Sequence, residues 1–303
     1  AVAGELYMDA FGSGGFAGKG LIDAHAFLEC TGDFPEGRIL SHDAPEGAVL
    51  RGAYMGDAEF SDAFPFLPLA WYKRLHRWIR GDWQNIAFIF APDLRDIDRW
   101  RLFDNLRRSL IAPATFIAIL AGLFGSGIGL RLAAGAAVLS LLSGLLLSML
   151  ESSMKHREHI PLRRHTRLLS GMGGAIIQAF IRLWLLPYEA WVSLSAIVTA
   201  LWRMLISRKK LLQWQTAAAS LGEGGFAAHV RAMWPAVLVG VVLMALCGSV
   251  MGKSAGLMWL LSPAAAAALA LPSGSIDTLP DTEKNYLREA SRRGYKYFST
   301  FFT

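Results

Sequence analysis

The sequence predicts a short α/β segment followed by an α-helical membrane bundle of at least four spans. Three observations carry this. First, 53% of the 303 residues are hydrophobic and the mean hydropathy is +0.36, more apolar than is usual for a soluble chain of this length. Second, the apolar residues are unevenly placed: residues 1–108 are mixed, 109–271 hold long apolar runs, and 272–303 are polar and basic again. Third, residues 1–108 mix strand-like and helix-like patterning.

Along the amino-terminal segment, "GSGGFAGKG" (12–20) reads as a glycine-rich loop. Residues 21–30 read as a short helix starting near Asp23. "GRILSHD" reads as an apolar strand running into a polar turn, and "GAYMGDAEF" as another strand. Leu69, Tyr72, Leu75, Ile79 and Trp83 recur on one helical face, which predicts a helix within 68–90.

A helix needs about 20 apolar residues to cross a bilayer core. Residues 110–130 and 132–150 meet that around Arg131, and 235–251 and 254–271 around Gly252 and Lys253. Residues 171–206 are ambiguous because Arg182, Pro187, Glu189 and Arg203 interrupt them. They read as two more spans, or as an interfacial helix, a break at Pro187 and a buried segment. Arg101, Arg107 and Arg108 precede the first span. Lys155, Arg157, Arg163, Arg164 and Arg167 follow the second, and Arg208, Lys209 and Lys210 precede the third. The positive-inside rule then places these loops and residues 1–108 in the cytoplasm. The same placement accounts for the net charge of +6 as a membrane flank rather than a nucleic-acid surface. Cys30 and Cys247 share no motif, and suggest neither a disulfide framework nor a zinc site. With no initiator Met and no signal-like start, the chain is expected to be a piece of something longer.

Three stretches carry chemistry. In "LSHD" (40–43), Asp43 could take a proton from a hydroxyl nucleophile. Equally, it could cap a following helix, since "DAPEG" is a fair helix start. In "RLHRWIRGDWQ" (74–84), Arg74 and Arg77 share a helical face, and two guanidinium forks suit a diphosphate. Trp78 offers a flat ring to the apolar face of a sugar. The alternative is an amphipathic helix lying on the membrane. The glycine-rich loop can bring backbone N–H groups near an anion, but its spacing is not that of a P-loop, and a surface loop is the plainer reading.

The order of the three is more specific than any one of them. "FGSGGFAGKGLID", "RILSHDAPEG" and "RLHRWIRGDWQ" resemble successive motifs of the cytoplasmic glycosyltransferase part of cyclic β-1,2-glucan synthases. "FDNLRRSL" (103–110), "LPYEAWVSLSAIV" (186–198) and "LLQWQTAAA" (211–219) also resemble that family, so the likeness runs along nearly the whole chain. More distantly, the pattern is similar to processive family-2 transferases such as cellulose synthase. Ser13 stands where the family pattern has Glu, and Ala44–Pro45 where it has two leucines.

The resemblance implies that residues 1–108 are the carboxyl-terminal part of a GT-A-like catalytic domain, 109–271 the membrane region, and 272–303 a cytoplasmic linker helix toward a phosphorylase-like domain. It implies a multi-pass protein of the bacterial inner membrane that transfers glucose from UDP-glucose to a growing β-glucan with inversion. Asp43 would be the base. Arg77, with Arg74, would hold the donor diphosphate, while Trp78 and His42 would touch the acceptor. Gly18, Lys19 and Gly20 would form a loop near the substrate. A divalent metal, Mg or Mn, is expected in the parent, with its ligands outside this chain; the aspartates of "PDLRDIDRW" come in the wrong order to supply them. Such a piece alone is expected to be inactive. The partners implied are the nucleotide sugar, the glucan and membrane lipid, with no nucleic acid. A non-enzymatic anchor whose arginines hold lipid phosphates is the competing reading. The carboxylates Asp43, Glu46, Asp57, Glu59 and Asp62 count against it. A transporter would want charged residues within its spans, and the four spans read here carry none there.

Overall fold

The computed structural model describes residues 2–16, 18, 20–32, 34–35, 37–54, 67–125, 127–141, 143, 162–213, 225–271 and 281–301. Every regular element among them is helical. In chain order they are α1 (Val2–Phe11), α2 (Ala24–Thr31), α3 (Asp43–Val49), α4 (Pro68–Gln84), α5 (Asp96–Phe124), α6 (Ile128–Leu141), α7 (Leu162–Leu201), α8 (Phe226–Ala232), α9 (Trp234–Leu246), α10 (Val250–Leu260), α11 (Ser262–Leu269) and α12 (Asp281–Phe301). A 3₁₀ turn, Asn85–Phe90, extends α4, and a π-helical turn, Trp202–Ser207, extends α7. Residues 1–270 form one compact unit and 271–303 another.

The expected strands are a correction. "GRILSHD" forms no strand, and the second expected strand lies outside the described residues from position 55 onward. Ile39 is buried at 3% exposure, as its apolar character requires. Its neighbours' backbone, however, is satisfied by side chains of α4 rather than by a partner strand. Leu40 N–H donates to Gln84 Oε1 (2.8 Å), and Asn85 Nδ2 donates to the Ser41 carbonyl (2.9 Å). A segment whose donors and acceptors are so engaged has no need of a ladder. The α/β expectation for residues 1–108 is therefore not what the described residues form.

Helix α2 begins as anticipated, with the Asp23 carboxylate accepting from Ala26 N–H (2.9 Å). Helix α4 opens on Pro68, whose missing N–H costs nothing in a first turn. It packs on α7 through two clusters: Leu69 and Tyr72 against Leu185, Tyr188 and Val192, then Ile79 against Ala196 and Ile197.

The membrane-length helices also differ from the expected four spans. Among the described residues, two are long and apolar enough to cross a membrane: α5, and Ile176–Ser207 within α7 and its π turn. The pair α8–α9, bent by 72°, makes a third if it is one span. The helix that carries the first expected span begins at Asp96, and its uncharged stretch runs from Ser109 to Phe124. The ambiguous stretch 171–206 is one continuous helix. Pro187 does not break it, because the carbonyl that its missing N–H would leave unpaired, at Leu183, accepts from the Trp259 indole (3.0 Å). Trp259 is fully buried and also packs against Phe116 of α5.

The turn between α9 and α10 falls at Cys247–Ser249, not at Gly252 and Lys253. Ser249 caps α10 by accepting from Gly252 N–H (3.1 Å). These two helices touch backbone to backbone: a Cβ on Gly240 would sit 2.6 Å from Leu260 N and 2.7 Å from the Gly256 carbonyl. At 13 and 11 residues, each is shorter than the roughly 20 residues a bilayer core needs. Of the expected span 132–150, residues beyond 143 lie outside the described residues. In the second unit, α12 is a polar helix with ion pairs one turn apart, Lys284–Asp281 (3.3 Å) and Arg293–Glu289 (3.2 Å).

Candidate active site

Three glycine contacts bring the three motifs together. A Cβ on Gly47 would lie 2.5 Å from Phe16 Cβ, so α3 rests against the glycine-rich loop. A Cβ on Gly81 would lie 2.6 Å from Ser41 Cβ, so α4 rests against the Ser-His-Asp turn. Gly18, at φ +76°, faces the Asp43 carboxylate, whose oxygens lie 2.9 and 3.0 Å from where a Cβ would stand. Only glycine offers both the positive φ and that approach.

The loop is anchored at its other end by charge. Asp98, 1% exposed, pairs with Arg95 (2.8 Å) and Arg101 (3.0 Å). Both arginines also reach fully buried Ser13: Arg95 NH2 donates to its hydroxyl (2.7 Å) and Arg101 NH2 to its carbonyl (2.7 Å). The position where the family pattern has Glu thus lies between two guanidinium groups. The Asp98 of "PDLRDIDRW" is one arm of this clamp. Among the described residues, no three His, Cys, Asp or Glu come together as a metal would need, so no chemical step is assigned to a metal.

Asp43 is the first residue of α3. The cap position is His42, whose side chain makes no capping bond. Asp43 and Trp78 line one cavity of about 530 Å3, together with Asp82, Asn105, Arg108 and Glu189. Arg77 lines a second, of about 430 Å3, with His76, Arg80, Arg203, Tyr188 and Trp191. The two arginines of the expected fork have different neighbours. Arg74 lays its guanidinium over the Trp78 ring, 4.5 Å from the centroid, and Trp71 meets the same ring edge-on. Arg77 points to the other cavity, although burial and Arg74 lower its pKa while Asp43 raises it, so it remains within electrostatic reach of both. His42 is exposed and lines neither cavity. Gly20 packs beside the Phe16 ring, and Lys19 lies outside the described residues.

Asp82 is the residue that sequence reasoning overlooked. It sits on the face of α4 that carries Leu75, Trp78 and Ile79, one turn beyond Trp78. Burial raises its pKa to about 6, against Arg108 and a hydrogen bond from Asn105 Nδ2 (3.1 Å), with Asp43 adding to the rise. The signal was present: an Asp four residues after Trp78 shares its helical face. Arg80 and Gln84 were likewise unassigned. Arg80 donates to the carbonyls of Gln213 (3.0 Å) and Leu211 (3.2 Å), and Gln84 to that of Leu211 (3.2 Å), tying the start of "LLQWQ" to α4.

No family model matches the chain. It is 34% identical over 314 aligned residues to the cyclic beta-(1,2)-glucan synthase NdvB of Rhizobium meliloti (strain 1021). The alignment takes in 99% of this chain but only 11% of that protein's length.

Proposed function

From the premise that this chain is a segment-length relative of the cyclic β-(1,2)-glucan synthases, a membrane protein with a transferase-related role, we propose that it forms the acceptor side of an inverting glucosyltransferase site. The single observation that supports this most is the convergence of Phe16, Asp43 and Trp78 from three motifs on one cavity, with Gly18 against the Asp43 carboxylate. The donor in this reading is UDP-glucose and the acceptor a growing β-1,2-glucan.

Asp43 takes the proton of the acceptor hydroxyl. The oxygen then attacks C1 of the donor glucose, and the bond from C1 to the UDP oxygen breaks with its electron pair leaving on UDP. A single displacement inverts the anomeric centre. Trp78 supports the acceptor sugar through its apolar face, and Arg77 holds the leaving diphosphate. The cytoplasmic side is the one that supplies a nucleotide sugar. The basic residues after the π turn, Arg208, Lys209 and Lys210, support that orientation.

The test is Asp43→Asn in the full-length protein. The amide keeps the shape and removes the base, so glucan synthesis should fall by about two orders of magnitude or more. UDP-glucose binding should stay near wild type. An Asn variant with near-normal synthesis would reduce Asp43 to a residue of local structure.

A further inference from the structure

We propose that Asp82 is a second carboxylate of the acceptor subsite, binding hydroxyl groups of the sugar ring that lies on Trp78. This rests on the transferase reading above and adds to it a residue and a ligand chemistry.

Asp98 is buried because two arginines pair with it. Among the described residues, Asp82 makes no comparable ion pair, and its hydrogen bond comes from the neutral amide of Asn105 at Oδ1. A half-buried carboxylate with one neutral hydrogen-bond donor, and with Arg108 near it but not paired to it, is costly unless something else uses it. Its surroundings indicate what that would be. The Gly81–Ser41 contact fixes the backbone next to Asp82 against the turn that carries Asp43. Trp78 and Asp82, four residues apart, stand on one face of α4, so a ring laid on the indole would present its edge to the carboxylate. A neutral pyranose needs an apolar platform plus fixed acceptors for its hydroxyls, and a carboxylate accepts such bonds strongly. Asn105 occupies Oδ1, which leaves Oδ2 for the sugar.

The other charged groups lining the cavity are Asp43 from α3, Arg108 from α5, and Arg182 and Glu189 from α7. Ionised Asp82 accepts hydroxyl hydrogen bonds; the protonated form has lost much of that capacity. Sugar binding should therefore weaken as pH falls through about 6, where Asp82 takes up its proton.

The experiment measures binding of a linear β-1,2-linked gluco-oligosaccharide to the full-length protein between pH 5 and 8, with UDP binding as the check on folding. Wild type should bind the oligosaccharide more weakly at the acid end. Asp82→Asn should lower affinity about tenfold at pH 7.5, the scale of one charge-assisted bond, and should flatten the pH dependence. Its UDP affinity should stay within about twofold of wild type. Asp82→Ala should match or exceed the loss. Wild-type oligosaccharide affinity with an unchanged pH profile in Asp82→Asn would overturn the proposal, as would an acid-insensitive wild type. Asp43→Asn separates the two readings. If it keeps full turnover, the general-base reading fails. If it loses turnover but binds the oligosaccharide normally, a null result at Asp82 counts against this proposal alone.

Discussion

Helix α4 has a cavity on each of two faces, and the two are chemically unlike. Leu75, Trp78, Ile79 and Asp82 face the cavity that holds the carboxylates. Lys73, His76, Arg77 and Arg80 face a pocket that Arg203 also lines and that, among the described residues, no carboxylate lines. The sorting follows helical register, so Arg77 and Trp78, adjacent in sequence, serve different spaces. Burial acts on both sides with opposite results. It pushes the Asp82 carboxyl up to about 6. On the other side it pushes His76 down to about 4, with Arg80 and Arg203 adding to the fall. The lesson is that "RLHRWIRGDWQ" is not one clamp. In the proposed reading it is two half-sites printed on one helix.

The largest effect expected from disturbing one half-site alone is at Gly81. Its missing side chain is what lets α4 meet Ser41 and hold the Ser-His-Asp turn in place. Gly81→Ala puts a methyl 2.6 Å from Ser41 Cβ, so the turn must move. Overpacking of this kind costs about 1–3 kcal/mol. Thermal unfolding of the full-length protein should report that loss, and turnover should drop by about tenfold or more as Asp43 shifts relative to Trp78. UDP affinity, which in the proposed reading belongs to the other face, should stay within about twofold. A variant as stable and as active as wild type would mean the contact aligns nothing.

Much of this helix was legible in the sequence. The spacing of Leu69, Tyr72, Ile79 and Trp83 fixes its buried stripe, and the motif order points to Asp43 and Trp78. The expected pairing of Arg74 with Arg77 depends on more than their spacing, because residues three apart share a face only broadly and an indole within reach of Arg74 takes its guanidinium. The strand expected at "GRILSHD" failed for a related reason. Apolar residues before a turn look alike whether their backbone is satisfied by a neighbouring strand or by Gln84 and Asn85 from 44 residues downstream. Continuity through Pro187 was equally invisible, since it depends on an indole 76 residues beyond Leu183. Local pattern survives where neighbours in sequence decide the outcome, and it fails where a distant side chain does.

The opposed pKa shifts give a second way to test the comparison. Asp82 titrates near 6 when folded and at an ordinary 3.8 when unfolded. The native state therefore holds the extra proton between those values, and Asp82 contributes stability that rises as pH falls from about 6 to 4. His76 titrates near 4 when folded and at 6.5 when unfolded. There the unfolded state holds the extra proton, so stability is lost as pH falls from 6.5 toward 4. Each contribution is on the order of 1–3 kcal/mol once solvent screening is allowed for, and in wild type they oppose each other. Asp82→Asn should therefore steepen the loss of stability on acidification, and His76→Gln should reverse it. Unfolding temperatures between pH 4.5 and 7.5 read this directly. Parallel pH profiles in both variants would mean the two faces do not differ in the way described.

The smallest effect separates the basic half-site from its neighbour by geometry rather than by charge. Arg77→Lys keeps the positive charge and removes the planar fork. If Arg77 grips a diphosphate with two parallel hydrogen bonds, a lysine can offer only a point charge in its place, and UDP affinity should fall about fivefold, roughly 1 kcal/mol. Oligosaccharide affinity should not change, because Arg77 does not line the cavity that holds Trp78 and Asp82. Trp78→Ala should give the mirror result, with weaker oligosaccharide binding and near-normal UDP binding. Part of its loss would come through Arg74, whose guanidinium would lose the ring it lies on. Calorimetry with each ligand on both variants yields four affinities, with each variant expected to weaken one ligand and spare the other. A lysine variant that binds UDP as wild type does would remove Arg77 from the donor side. A variant of either residue that weakens both ligands equally would mean that α4 presents a single site after all, and that helical register does not divide it.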